Sequence, residues 1–344
     1  MIPTVAQLPA LEAGCLHLFL LGPGVGESLV CRTPEGRWLV MDSHENSEGV
    51  LPAIVLRHYQ VDRLEVLVLT HPHRDHFPGM VQLCDDYDPV IVAAPAGLLP
   101  PEWTGATLTP DLIPSAAQRA LLARGAASVL QRFSDRAAQG HQIVPLRDGV
   151  VLYQEGELSI HCLAPDRAGL AAMARGRPEA NQVSAVLVLQ WGAGRYSLPE
   201  DLPADEFERL DPQNLRHNAL KLPHHGSIHS WSAAWGQNGV APSYWFGSPF
   251  NCGLNPPPQP EALRAFLQVQ SQVYLTSRPS RFRQSPAGKC RLAELVDGPR
   301  SGVPERRPAS ECILYFAFNE QAQLVASARL PGTWLIQRDD TPST

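Results

Sequence analysis

Apolar residues in this chain gather into short unbroken blocks more often than they alternate with polar ones. Leu16-His17-Leu18-Phe19-Leu20-Leu21, Leu64-Glu65-Val66-Leu67-Val68-Leu69-Thr70, Ser184 to Leu189 and Ala219-Leu220-Lys221-Leu222 are such blocks, most of them closed by glycine or proline. Runs of roughly four to eight residues with punctuated ends predict strands buried on both faces, because a buried helix needs a longer run. Residues 15–42 predict two strands around Gly22-Pro23-Gly24-Val25-Gly26, then a hairpin at Pro34-Glu35-Gly36 that returns through Trp38-Leu39-Val40-Met41-Asp42. Elsewhere the spacing is helical. Leu51, Ile54, Val55 and Tyr59 share a face over 48–60, and Pro256-Pro257-Pro258 with Pro260 opens a helix from Glu261 to Val269, since proline suits a first turn. Further strands are expected at 149–153 and 158–163, a helix at 203–210, and a last hairpin at 312–318 and 323–328. Residues 98–140, rich in Ala, Pro and Leu, read as a helical insertion, and the end from about 330 to 344 as a polar tail. Alternating strands and helices predict layered α/β packing. With no internal repeat and no interdomain linker, residues 1–344 read as one domain.

Composition narrows the class. A chain of 344 residues, 44% hydrophobic and 18% charged, buries a substantial core and is not extensively disordered. The net charge of −6 argues against broad adhesion to nucleic acid, while leaving room for a local basic patch. Seven cysteines without a CxxC spacing fit reduced thiols better than a disulfide framework. The apolar stretch Cys15 to Leu21 is too short for a membrane span and lacks the flanks of a signal peptide. The expectation is a soluble cytoplasmic protein without a membrane partner.

The chemistry begins at His71-Pro72-His73-Arg74-Asp75-His76, directly after the 64–70 strand. Three imidazoles and a carboxylate at a strand end leave water only when their lone pairs find a partner, and a divalent cation is the usual one. Histidines two apart bite one ion, and the following Asp and His serve a second. The bland alternative is a solvated loop that binds nothing. Asp42, the His71–His76 loop, Asp201 and His225 each follow a predicted strand, so they can meet at a common rim.

These residues resemble the metallo-β-lactamase fold, a four-layer αββα sandwich. Within it the chain is most similar to the soluble domain of ComEC-type bacterial competence proteins. Leu18 to Ser28 with its glycine turn, Leu39-Val40-Met41-Asp42-Ser43, the His loop, Asp201, Leu220-Lys221-Leu222-Pro223-His224-His225-Gly226-Ser227 and Asn255-Pro256 carry the resemblance, with Val273-Tyr274-Leu275-Thr276 after them. It implies that His71 and His73 bind a first metal, that Asp75, His76 and His225 bind a second, and that Asp201 bridges both. One or two divalent ions are implied, zinc first and manganese as the alternative, with a bridging hydroxide as nucleophile. Asp75 counts among the catalytic groups as well as the ligands. His224 is left free to orient or protonate a leaving group, against the alternative of a surface imidazole. Asp42 supports a ligand histidine and is not itself a ligand.

Three departures from the family pattern matter. Asn181 stands where the superfamily usually has a further first-site histidine, which predicts a weak first site and leaves Asn181 to orient substrate or water. Pro199-Glu200 precedes Asp201 where Thr-Gly is usual, which predicts an altered turn. Asn255-Pro256 and Glu27-Ser28 replace His-Pro and Gly-Asp. The expected activity is that of a phosphodiesterase or nuclease. Ser227 and Ser230 follow the paired histidines, and Arg278, Arg281, Arg283, Lys289 and Arg291 lie within fourteen residues free of acid, beside Thr276, Ser277 and Ser280. Such a run attracts a polyanion, although a solvated basic loop is an equal reading. Trp231 is the candidate for stacking a base, while Trp235, Tyr244, Trp245 and Phe246 read as core. The partners expected are nucleic acid or another phosphodiester, with a partner protein as a further candidate. The alternatives are a hydrolase of lactones, thioesters, β-lactams or small phosphodiesters, and a catalytically degenerate metal-binding subunit.

Overall fold

Strands that are apolar on both faces need cover on both faces. The chain supplies it by stacking two sheets and flanking each with helices. The computed structural model describes residues 6–104, 108–176, 179–280, 288–291 and 307–338. One sheet has eight strands in the order Leu324–Arg329, Ile313–Phe318, Leu16–Leu21, Ser28–Arg32, Trp38–Met41, Val66–Val68, Ile91–Pro95, Gln142–Leu146. The other has nine: Lys289–Arg291, Trp334–Gln337, Gln272–Leu275, Gly239–Gly247, His217–Lys221, Gly194–Leu198, Val186–Trp191, Leu158–Ala164, Val150–Glu155. The late strand Ile313–Phe318 runs antiparallel to Leu16–Leu21, with Leu16 opposite Phe318.

Period-two geometry divides each strand between two cores. Leu16, Leu18 and Leu20 point between the sheets with Leu198, Phe246 and Phe316. Phe19 and Leu21 point the other way, into a core shared with Leu51 and Val55 of helix Leu51–His58, Leu83 of Met80–Tyr87 and Phe133 of Ala127–Ala138. On the far side Leu220, Leu222 and Trp245 pack under Phe266 of helix Pro260–Val269. Helix, sheet, sheet, helix: this is a four-layer αββα sandwich, as the resemblance implied.

Within 98–140 lie helices Pro101–Thr104, Ala116–Leu122 and Ala127–Ala138, and they bury Leu122, Val129 and Phe133 in the core outside the eight-stranded sheet. Ser115 and Gln118 form a reciprocal capping box at the start of the second. The expected polar tail is corrected. Trp334–Gln337 is a buried strand, antiparallel to Gln272–Leu275 and parallel to Lys289–Arg291. Trp334, Leu335 and Ile336 make too brief an apolar block to stand out among polar neighbours, and only pairing within the sheet reveals it. Among the described residues no helix is long and apolar enough to cross a membrane.

The topology fixes where chemistry can sit. Trp38–Met41 and Val66–Val68 are parallel, as are Gly194–Leu198 and His217–Lys221, so each sheet brings two C-terminal strand ends to one edge.

Candidate metal centre

The loops leaving those strand ends are tied to one another through the backbone. Asp42 N–H donates to Val68 O at 2.9 Å and Ser43 N–H to His76 O at 2.8 Å, which pins the His loop to the neighbouring strand. Across the sheets, Ala185 N–H reaches Thr70 O at 3.0 Å. His224 N–H reaches Glu200 O at 2.7 Å, joining the two donor turns of the nine-stranded sheet. Asp42, Glu200, His224 and His225 adopt φ of 58°, 48°, 45° and 56°, a left-handed conformation costing a non-glycine residue about 1–3 kcal/mol. Four such residues at one rim mark a functional constraint. Glu200 takes a left-handed position that glycine would fill at less cost, and Asp201 beside it points into the cluster.

Asp201 is the hub. Its Oδ2 lies 3.4 Å from His71 Nε2, 3.5 Å from His224 Nε2 and 3.8 Å from His76 Nε2. His71, His73 and Asp201 offer donor atoms all within 4.8 Å of one another, and so do Glu27, His76, Asp201 and His225. Asp75 Oδ2 stands 3.0 Å from His225 Nε2 and 3.6 Å from His76 Nε2. The rings are aimed from behind. His76 Nδ1 is 2.7 Å from Asp42 Oδ2, and His225 Nδ1 is 2.9 Å from Ser248 O, so Nε2 of each faces the cluster. Asp42 also accepts from Thr70 N–H at 2.7 Å and from the Thr70 hydroxyl.

A divalent cation fits this donor set. His71 Nε2, His76 Nε2 and Asp201 Oδ1 are buried without a hydrogen-bond partner, which is costly unless something binds them. Five carboxylates (Glu27, Asp42, Asp75, Glu200, Asp201) accompany one ammonium, Lys221. With neutral imidazoles that is a formal excess of four negative charges. Burial raises Asp201, but the imidazoles of His224, His71, His76 and His225 outweigh it and hold the carboxyl well below the usual range. Burial lowers His225, yet Glu27, Asp201 and Asp75 push it up to about 9. Burial holds His73 down near 4, with His71 adding to the effect. Imidazole nitrogen and carboxylate oxygen suit several divalent ions, so the donors do not choose between zinc and manganese.

The other sequence-predicted residues are placed as follows. Asn181 is half-buried with an unpartnered Oδ1. Ser227 is buried, and its hydroxyl accepts from His229 N–H at 3.3 Å. Arg278 is half-buried and its carbonyl accepts from Asn251 Nδ2 at 2.9 Å, while Arg281 and Arg283 lie outside the described residues. Thr276 is buried and donates its hydroxyl to Gly22 O, so it supports the glycine turn and does not present itself to a ligand. Trp231 is half-buried, and its ring stands edge-on to Phe266 at 4.8 Å against the outer core. Trp235, Trp245 and Phe246 are buried as expected.

Three residues escaped the sequence reading as parts of the site. Glu27, Glu200 and Lys221 are all buried beside the donors. Glu200 alone carried a signal in the sequence, its place immediately before Asp201. In front of Asp75 opens a cleft of about 670 Å³ whose walls include Val25, His44, Asn46, Arg74 and Phe250. It adjoins a second of about 470 Å³ that shares Val25, His44 and Asn46 and reaches Arg307.

No protein-family model and no curated protein matches the chain. Among solved structures it is similar to zinc-bound PqqB from Methylobacterium extorquens. Identity is 13%, the match covers 60% of this chain and 71% of that one, and the TM-score is 0.37.

Proposed function

We propose that this protein is a metal-dependent hydrolase acting on phosphodiester bonds, with nucleic acid as the leading substrate class. The observation that carries the reading is the buried cluster in which Asp201 is shared by two donor groups beside an open cleft. Among the described residues the cleft carries one cationic side chain, beside the acids Glu45 and Asp75. Arg74 lines it, and Asn251 links the start of the basic run to the glycine turn, accepting from Ser280 N–H at 2.8 Å and donating its own N–H to Gly24 O at 2.7 Å.

His71, His73 and Asp201 would hold one ion, and His76, His225, Asp201 and Asp75 the other. A divalent ion supplies Lewis acidity and brings the pKa of bound water toward neutrality. The side chains do the rest. Asp42 and the Ser248 carbonyl fix the rings of His76 and His225. The attacking water would give its proton to solvent, its oxygen forming the new P–O bond as the ester P–O bond breaks. Asp75 at the cleft wall stays a carboxylate: burial raises it, but His76 and His225 outweigh that and hold it well below the usual range. Burial, reinforced by His225, His71 and His76, lowers His224 despite Asp201, so at neutral pH it orients the leaving oxygen as a neutral imidazole. The leaving alkoxide takes its proton from solvent.

Elemental analysis of purified protein, followed by assays on bis(p-nitrophenyl) phosphate and on single- and double-stranded DNA and RNA, tests this. Loss of a residue behind a ligand costs about 10–100-fold, so His73→Ala and Asp201→Asn should lower activity by about 100-fold or more. Metal-loaded protein that cleaves none of these substrates, or His73→Ala matching wild type throughout, would sink the proposal. A second reading, hydrolysis of a small lactone or thioester, is favoured by Val25, Pro78 and Phe250 on the cleft wall, and the same panel extended to such esters separates the two.

A further inference from the structure

Lys221 is a fully buried ammonium that no step above uses. Its Nζ lies 2.5 Å from Glu27 Oε1 and 3.0 Å from Glu200 Oε2, and all three residues are at most 2% exposed. A buried ion network of this kind is a poor way to add stability, since apolar side chains of similar volume usually do as well or better. What the network joins is more telling. Glu27 ends the glycine turn of the eight-stranded sheet, and its N–H is bonded to Asp75 O at 3.2 Å. Glu200 immediately precedes Asp201, and its carbonyl holds His224 N–H. Lys221 ends the strand that leads to His224 and His225. Each member therefore adjoins a different donor turn, and the three turns come from both sheets.

The Glu27 carboxylate also lies against the two ligand rings, on the donor side of His76 and behind His225. Oε1 is 4.0 Å from His76 Nε2, and Oε2 is 3.6 Å from His225 Nδ1. With His76, Asp201 and His225 it forms one of the groups whose donor atoms lie within 4.8 Å of one another.

The geometry points to Lys221 as a positioning residue: with Glu27 and Glu200 it clamps the donor turns of the two sheets at the spacing an ion pair requires. This rests on reading the cluster as a metal centre. It is separate from the identity of the ligands, because Lys221 itself donates to no ion.

The test uses the full chain carrying Glu27→Gln, Lys221→Met and Glu200→Gln together, which removes the charges and keeps the volumes. Apo-protein melting, zinc affinity by chelator competition, and the visible spectrum of the cobalt-loaded protein are compared with wild type. The clamp predicts an unchanged melting temperature, zinc binding about 10-fold weaker or more, and an altered cobalt spectrum. A merely structural network predicts wild-type affinity and spectrum in a folded variant, and that result overturns the proposal. Should the triple variant not fold, Glu200→Gln alone, which leaves Lys221 paired with Glu27 and touches no candidate donor, takes its place: weaker zinc binding and a changed spectrum support the clamp, and wild-type values overturn it. Wild-type protein that binds no metal overturns the metal centre and the clamp together, whereas an unaffected variant overturns the clamp alone.

Discussion

Asp42 divides one carboxylate between two tasks. Oδ1 takes the Thr70 N–H, holding the mouth of the His loop, while Oδ2 faces His76 Nδ1 and fixes which ring nitrogen is left for an ion. Asp42→Asn keeps the volume and the first contact, but presents either a neutral acceptor or a competing N–H to His76. Zinc affinity should fall about 10–100-fold with little change in the melting temperature of the apo-protein. A chelator titration indistinguishable from wild type would show that His76 is not aimed by Asp42. At this scale the His loop was legible because its donors are neighbours in sequence, and Asp201 and His225 were legible through resemblance. Glu27 and Lys221 were not. Their roles arise from an ion pair between side chains far apart in the chain, and neither stands in a pattern that separates a buried ion from a solvated one.

Elements carry the site by how they end. Pro223–Gly226 follows His217–Lys221 with three consecutive residues at positive φ, His224 at 45°, His225 at 56° and Gly226 at 86°. A Cβ on Gly226 would stand 2.7 Å from Pro258 Cβ, so the segment entering helix Pro260–Val269 presses directly on the turn that aims His225. Gln259, the residue before that helix, donates its N–H to Gly226 O at 3.3 Å and accepts Ile228 N–H at 2.8 Å. The helix is held down by Phe266, which is fully buried against Trp231 and Trp245. Phe266→Ala should destabilise the protein by about 3–5 kcal/mol, read as a lower urea midpoint at unchanged slope. A loss under about 1 kcal/mol would mean that the outer core repacks around the void. The helix was legible from its proline entry and apolar spacing. Trp334–Gln337 was not, because a strand buried by pairing late in the chain needs no long apolar run of its own.

For the molecule as a whole, two sheets meet edge to edge at the site and face to face in the core, and buried histidines outside the site pack in the two outer cores, His17 on Tyr315 and His217 on Trp235 and Trp245. Layered α/β packing was legible because short blocks apolar on both faces read as interior strands, whereas the number and order of the layers came from the resemblance. Which strand ends face across the gap was not, since that depends on long-range pairing such as Leu16 with Phe318. His17 lies in the strand Leu16–Leu21 between Glu12 O at 2.9 Å and the Tyr315 hydroxyl at 3.0 Å. His217 bonds Leu215 O through Nδ1 at 2.9 Å and leaves Nε2 buried without a partner. Burial lowers both to about 4, against the small opposing effect of those backbone carbonyls. In the unfolded chain each titrates near 6.5, so between pH 6.5 and 4 the unfolded state binds more protons than the folded one. Their contribution to stability is complete above about pH 6.5 and is lost as the pH falls toward 4, by up to about 3 kcal/mol for His217. His217→Asn can reproduce the Nδ1–H contact without a group to protonate. In metal-free protein the urea midpoint of wild type should therefore drop further between pH 7.5 and pH 5 than that of His217→Asn. The site histidines titrate in both proteins and cancel in the comparison, so equal slopes would mean that His217 takes up its proton alike in the folded and unfolded states.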